Sequence, residues 1–171
     1  PLHGPVLSEN LGYYLDLYNT WSSYGVETEG VCLCYTSVYG HTQKAALLLA
    51  DELRALGVKV AVNDLARCDM AEAVEDAFRY GKLALATTTY AGTIFPFMRE
   101  FLANITERGY QNRTVALIEN GSWAPMAAKV MRAAFEKCKN VNVLQDVVTI
   151  NSAMTEENKL QIRNLAKQLA D

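Results

Sequence analysis

From Val31 onward the chain swaps repeatedly between short apolar runs and longer segments whose apolar residues recur every three or four positions. The run Val31–Thr36 reads as a strand, and Gln43–Leu56, with Ala46, Leu49, Ala50 and Leu53 on one face, reads as an amphipathic helix. Val58–Asp64, Leu83–Thr87, Thr114–Glu119 and Val141–Val148 repeat the strand signature. Helices are predicted over roughly Asp69–Tyr80, Phe95–Arg108 and Pro125–Lys137, and Thr155–Ala170 closes the chain with Thr155 and Asn158 near its start. Five strands alternating with five helices imply an α/β fold, a doubly wound parallel sheet with helices on both faces.

A different pattern precedes Val31. Leu11, Tyr14, Leu15, Tyr18 and Trp21 keep helical spacing, Ser8 is a candidate N-cap, and Gly25 a candidate stop. "VETEG", residues 26–30, reads as a polar connection, so the expected division is a linker segment over 1–30 and a compact domain over 31–171. The opening "PLHGPVLSEN" has no initiator methionine and reads as the interior of a longer or processed chain.

Composition narrows the function classes. With 171 residues, half of them apolar and a fifth charged, the chain can bury one full core. A net charge of −3 without a basic cluster argues against a nucleic-acid surface. No apolar run approaches the roughly 20 residues that span a bilayer, and no signal-peptide pattern is present. Cys32 and Cys34 stand two apart in a strand and share a face; with Cys68 and Cys138 they form neither paired CxxC motifs nor a disulfide framework. Small buried thiols in a reducing compartment, hence a cytoplasmic location, is the expectation.

Ligands of doubly wound sheets bind at the carboxyl ends of strands where strand order reverses. Three loops therefore carry the candidate chemistry. In "YTSVYGHTQKAA" the strand ends and the helix begins around Ser37, Gly40 and Thr42. Unpaired N–H groups, the positive end of the helix dipole and the hydroxyls of Thr36, Ser37 and Thr42 could hold a phosphate there. The same residues suit an ordinary helix start capped by Ser37 or Thr42. Neither GxxxxGK[ST] nor GxGxxG is present. In "TTTYAGTIFP", residues 87–96, Tyr90 beside Ala91–Gly92 suits either a flat stacked ligand or an exposed turn with a packing tyrosine. In "ENGSWAP", residues 119–125, Asn120–Gly121 is a turn signal and Trp123 precedes Pro125, placing a second aromatic on the same edge of the sheet.

Together, "TSVYGHT", "TTTYAGTIFP" and "YQNRTVALIENGSWAP" resemble segments of the A-type flavoproteins (flavodiiron proteins), and residues 31–171 resemble their flavodoxin-like FMN domain. The resemblance implies a flavodoxin-like sheet of order 2-1-3-4-5 and FMN as cofactor. It implies phosphate binding by Ser37, Val38, Tyr39, Gly40, His41 and Thr42, chiefly through backbone N–H groups and hydroxyls. Tyr90 and Trp123 would flank the flavin ring, and Thr88, Thr89, Ala91, Gly92, Asn120, Gly121 and Ser122 would meet its polar edge or ribityl chain. Phe95 would close the apolar side. Two departures from the family pattern stand out: Tyr39 replaces a threonine of the phosphate loop, and Ala91 replaces the asparagine of Tyr-Asn-Gly.

"LHGP" resembles the segment bearing the last metal-ligand histidine of the di-iron, metallo-β-lactamase-like domain that precedes the flavin domain in that family. His3 would then be an iron ligand in the full-length protein. Two irons need several nitrogen and carboxylate ligands, so the expectation for this chain alone is no metal. The resemblance further implies electron transfer from FMN to a di-iron centre, in the same or a partner subunit, that reduces oxygen or nitric oxide. Rubredoxin or an NAD(P)H-linked reductase would be the electron donor, and a head-to-tail homodimer the assembly. The alternative is a stand-alone NAD(P)H:quinone or flavin oxidoreductase on the same fold.

Overall fold

The computed structural model describes residues 3–171; Leu2 of the "LHGP" segment lies outside them, and His3 is exposed. In chain order the elements are α1 (Leu11–Ser22), β1 (Thr28–Tyr35), α2 (His41–Ala55), β2 (Val60–Asp64), α3 (Met70–Arg79) and β3 (Tyr80–Tyr90). Then follow β4 (Thr93–Ile94), α4 (Pro96–Glu107), β5 (Arg113–Asn120), α5 (Ala127–Ala134), β6 (Val141–Ile150) and α6 (Glu156–Ala170).

Alternate side chains of one strand divide the core in two. Along β1, Cys32 and Cys34 face one way while Val31, Leu33 and Tyr35 face the other, the two-residue period of a strand buried on both faces. The cysteine side packs with Leu83, Leu85, Val115 and Leu117 under α3, α4 and α5. The other side packs with Ala84, Ala86, Ala116 and Ile118 under α2 and α6. The strands run in the order β2-β1-β3-β5-β6, all parallel, and β4 pairs antiparallel with the tip of β3. Counting the parallel strands alone, this is the expected 2-1-3-4-5 sheet.

Differences from expectation fall at the ends of elements. β1 starts at Thr28, three residues early, its register broken before Val31 where Thr28 pairs with Tyr80. A polar stretch at the sheet's rim carries no apolar alternation and so reads as a connection. β4 has only two residues, too few for any period. Ser8 is not the cap of α1: Asn10 precedes the helix in a left-handed conformation, φ 52°, without a side-chain cap. α5 is shorter than its pattern, since Pro125 lies outside it and Met126 is the N-cap. All four cysteines are free; Cys32 and Cys34 are fully buried with their sulfurs 3.5 Å apart, and Cys68 and Cys138 are half-buried.

The end of the sheet away from the strand tips is clamped by Arg113. Its side chain is buried and donates to the carbonyls of Tyr80 (2.8 Å), Phe78 (2.6 Å), Tyr24 (2.9 Å) and Gly25 (2.9 Å). Burial pulls its pKa below the ordinary arginine value, and this fan of carbonyl dipoles offsets the desolvation of the cation. The connection from α1 to β1 is thereby tied to the starts of β3 and β5. α1 itself contributes no buried residue.

Tyr110 lies beneath Arg113's strand, its ring edge-on to Phe78 at 5.4 Å and tilted on Phe135 at 6.0 Å. Its hydroxyl is buried without a hydrogen-bond partner among the described residues, and burial pushes its pKa well up. Stranding a hydroxyl costs roughly 1–3 kcal/mol. Tyr110→Phe is therefore expected to raise the unfolding free energy in urea by about 1 kcal/mol; a loss of that size would mean that the hydroxyl is satisfied in solution.

Candidate functional site

The chain leaves β1 to one side for β2 and returns to the other for β3, so the loops that follow β1 and β3 diverge and open a crevice beyond the strand tips. A cleft of about 410 Å³ occupies this place. Its walls are Ser37, Val38, Tyr39, His41 and Thr42 from the loop after β1, Thr88, Thr89 and Tyr90 from the end of β3, and Asn120, Gly121 and Ser122 from the end of β5. Ser152, from the loop after β6, completes it. Of the residues singled out in the sequence, Gly40, Ala91, Gly92, Phe95 and Trp123 do not line the cleft but adjoin residues that do.

The first wall is the start of α2. Gly40 takes φ 83° as its N-cap, a conformation glycine adopts at no steric cost, and donates its N–H to Ser37 Oγ at 3.0 Å. The Ser37 hydroxyl thus shapes the turn and does not cap the helix. α2 has no side-chain cap and no acidic residue in its first turn. The next backbone bond is Lys44 N–H to Gly40 O, so the N–H groups of His41, Thr42 and Gln43 have no partner among the described residues. Thr42 is 2% exposed and makes no side-chain hydrogen bond among the described residues, with its place on the cleft wall. Thr36, grouped with these hydroxyls in the sequence, is withdrawn: fully buried, it bonds Thr87 Oγ1 at 2.6 Å and joins the tips of β1 and β3.

Other helix starts on this edge are wholly or partly closed. Asp69 caps α3 through Ala71 N–H (2.8 Å), and Thr155 and Asn158 form a reciprocal capping box on α6. α4 begins with Pro96, which lacks an N–H. α5 is capped from neighbouring strands: Thr89 Oγ1 accepts from Met126 N–H (2.9 Å) and Ala127 N–H (3.2 Å), and Glu119 Oε2 from Ala128 N–H (2.8 Å).

The second wall is a hairpin, not an open loop. Ala91 and Gly92 both have positive φ, 48° and 72°, between β3 and β4, the signature of a type I′ turn. Tyr90 is half exposed and stands edge-on to Phe95, ring centroids 5.2 Å apart. Phe95 in turn packs toward Phe97, so it buttresses Tyr90 and does not face the cleft.

In the third wall the Asn120 side chain is buried and already paired, donating to Ser152 O (2.9 Å) and accepting from Ser152 N–H (3.1 Å). Thr88 Oγ1 bonds Asn120 O at 3.2 Å. Trp123 projects from the loop, 89% exposed, as does Tyr39 from the first loop. The sequence reading missed Ser152 because the edge strand's loop looked remote from the reversal point. The signal was the polar "NSAM" directly after the strand that neighbours β5.

A second hollow of about 480 Å³, between the end of α1 and α3, includes Trp21, Tyr24, Phe78 and Arg113. Its arginine is spent on carbonyls, and Glu27 and Glu75 are paired with Arg79. The charged groups of this hollow are thus already paired with one another or with backbone carbonyls. Among the described residues no cluster of three or more His, Cys, Asp or Glu could hold a metal ion, and no helix is long and apolar enough to cross a membrane.

Residues 33–163 match the flavodoxin family model, and the chain belongs to that family, whose membership implies a flavin, FMN. It is 29% identical over 116 residues to a coenzyme F420H2 oxidase of Methanothermobacter marburgensis, covering 67% of this chain and 28% of that protein. It is 20% identical over its full length to an uncharacterized protein of Methanocaldococcus jannaschii, covering 43% of it. The chain thus spans less than half the length of these curated relatives. The fold superposes on rubredoxin oxygen:oxidoreductase of Desulfovibrio gigas with a TM-score of 0.86 at 18% identity, over 94% of this chain and 39% of that one. For the flavodiiron protein of Giardia intestinalis the TM-score is 0.85 at 21% identity, over 95% and 40%.

Ala91 holds a left-handed conformation that costs an alanine roughly 1–2 kcal/mol and that asparagine tolerates better. Ala91→Asn is expected to stabilise the fold by about 0.5 kcal/mol in chemical denaturation; destabilisation would show that the hairpin does not keep this turn in solution.

Proposed function

We propose that the cleft binds FMN with its phosphate on the open start of α2, and that this domain passes electrons to a di-iron centre carried elsewhere in the full protein or its partner subunit. The reading is carried by the contrast between helix starts: α3, α5 and α6 are capped by protein side chains, and α2 is left open beside Thr42, whose hydroxyl makes no hydrogen bond among the described residues and lies on the cleft wall.

The residues present fit the group. The N–H groups of His41, Thr42 and Gln43 and the Thr42 hydroxyl offer neutral donors to a dianion at the positive end of the α2 dipole. No lysine or arginine lines the cleft, so the charge is met by aligned dipoles and the site keeps its shape without a long, flexible side chain. Thr88 and the backbone around Asn120 and Ser152 supply the polar floor. Tyr90, Tyr39 and Trp123 supply exposed aromatic surface around the mouth, suited to covering a planar heterocycle and excluding water from it. When bound, FMN supplies one- and two-electron transfer; the protein's part is to hold it, shape its surroundings and leave one edge approachable.

The relatives support the rest. A rubredoxin oxygen:oxidoreductase and a flavodiiron protein share this fold, and an F420H2 oxidase shares part of the sequence. On this reading the electron donor is a rubredoxin or an NAD(P)H-linked reductase, His3 is an iron ligand of the complete protein, and the assembly is a homodimer. Four free thiols accord with a cytoplasmic setting.

The test is to incubate the purified chain with FMN, pass it through gel filtration and record its absorption. Retained flavin with perturbed bands is expected; a folded chain emerging colourless would overturn the reading. Thr42→Val keeps the side-chain shape and removes the hydroxyl. A hydrogen bond to a charged group contributes about 1.5–3 kcal/mol, so the Kd for FMN should rise roughly 10- to 150-fold while riboflavin, which has no phosphate, binds unchanged. Equal losses for both ligands would move the phosphate elsewhere.

A further inference from the structure

We propose that Thr89 is a positioning residue: through its bonds to the first amides of α5 it fixes the loop that carries Trp123. The segment 121–126 is pinned at both ends. Gly121 N–H bonds Ile150 O at 3.0 Å, and Met126 N–H bonds Thr89 Oγ1 at 2.9 Å with Ala127 N–H beside it at 3.2 Å. Between the pins, Ser122 and Trp123 are exposed and Ala124 is held at φ 102°, outside the conformations an alanine prefers.

Two further observations place the control at Thr89. Met126, the N-cap residue of α5, supplies no side-chain cap of its own, so its amide and that of Ala127 depend on Thr89, 37 residues before Met126 in the chain, while Ala128 N–H is held by Glu119. A Cβ on Gly121 would lie 2.9 Å from Pro125 Cα and 3.2 Å from Thr89 Oγ1, so the loop folds back closely over the threonine. A threonine hydroxyl accepts two hydrogen bonds, and both are taken by the α5 amides. Thr89 thus lines the cleft with its hydroxyl turned to the helix. It couples the hairpin bearing Tyr90, its own chain neighbour, to the loop bearing Trp123, and so sets the spacing of the two aromatics. This step rests on the flavin reading only for what the spacing serves.

The test uses the whole chain with Trp21→Phe, which leaves Trp123 as the single tryptophan, and compares Thr89→Val with Thr89→Ser. Without flavin, Thr89→Val should speed hydrogen exchange at the Met126 and Ala127 amides at least tenfold and lower the fluorescence anisotropy of Trp123. Thr89→Ser should restore both. With FMN, Thr89→Val should raise Kd about tenfold when Trp123 is present and less than twofold when Trp123→Ala is already made. Unchanged exchange and anisotropy, or an equal loss of affinity in both backgrounds, would overturn the proposal and return Thr89 to direct contact. Should valine prevent folding, Thr89→Ala takes its place. If the wild-type chain retains no FMN, the flavin reading fails alone, and the flavin-free measurements still decide the role of Thr89.

Discussion

Backbone N–H groups at a strand-to-helix turn must find an acceptor, and the upper edge of this sheet is organised by where each finds one. At α5 the acceptors are Thr89 and Glu119, reached across from β3 and β5. At α3 and α6 they are local, Asp69 and Thr155. At α2 the chain offers nothing: glycine at the N-cap, no acid in the first turn, and the nearby Ser37 hydroxyl spent on Gly40. Open donors at the end of a helix dipole are an anion site, and the family's FMN carries a phosphate.

The same edge is tied crosswise. Thr36 to Thr87 joins β1 to β3, Thr88 to Asn120 joins β3 to β5, and the Asn120 amide joins β5 to the loop of β6. Each bond fixes one wall of the cleft against the next, so the donors stand in place before a ligand arrives and little ordering entropy is left to lose on binding. Arg113 performs the corresponding task at the other end of the sheet, where its buried guanidinium, at the start of β5, gathers carbonyls from the end of α3, the start of β3 and the connection between α1 and β1. The aromatic side chains, by contrast, are left out in solvent: Tyr39 and Trp123 are each 89% exposed. On the proposed reading, a planar ligand covers this apolar surface.

Strands and helices were legible because both faces of the sheet are buried. Val31 to Tyr35 is apolar throughout, and the helices that cover it keep a strict face, so Cys32 and Cys34 could be assigned to one side before any coordinates. The three loops were legible as a group, by their hydroxyls, glycines and aromatics. What escaped were side-chain partners far apart in sequence. Thr36 and Thr87 look alike as loop hydroxyls until the sheet brings them together, and Thr89 reads as a ligand contact until α5 is seen to start above it. Ser152 follows an edge strand, and only the Asn120 bonds bring its loop to the cleft. Phe95 reads as a wall, yet its nearest aromatic is Tyr90. Composition reports which groups are available; the register of the sheet decides which are already paired.

The claim at the centre of this account is that α2 presents open amides and α5 does not. The direct measurement is an amide-resolved NMR titration of the flavin-free chain with inorganic phosphate. The account predicts saturable shifts at the His41, Thr42 and Gln43 amides and none at Met126, Ala127 or Ala128. Shifts at the α5 amides, or no shift at α2 while FMN still binds, would contradict it.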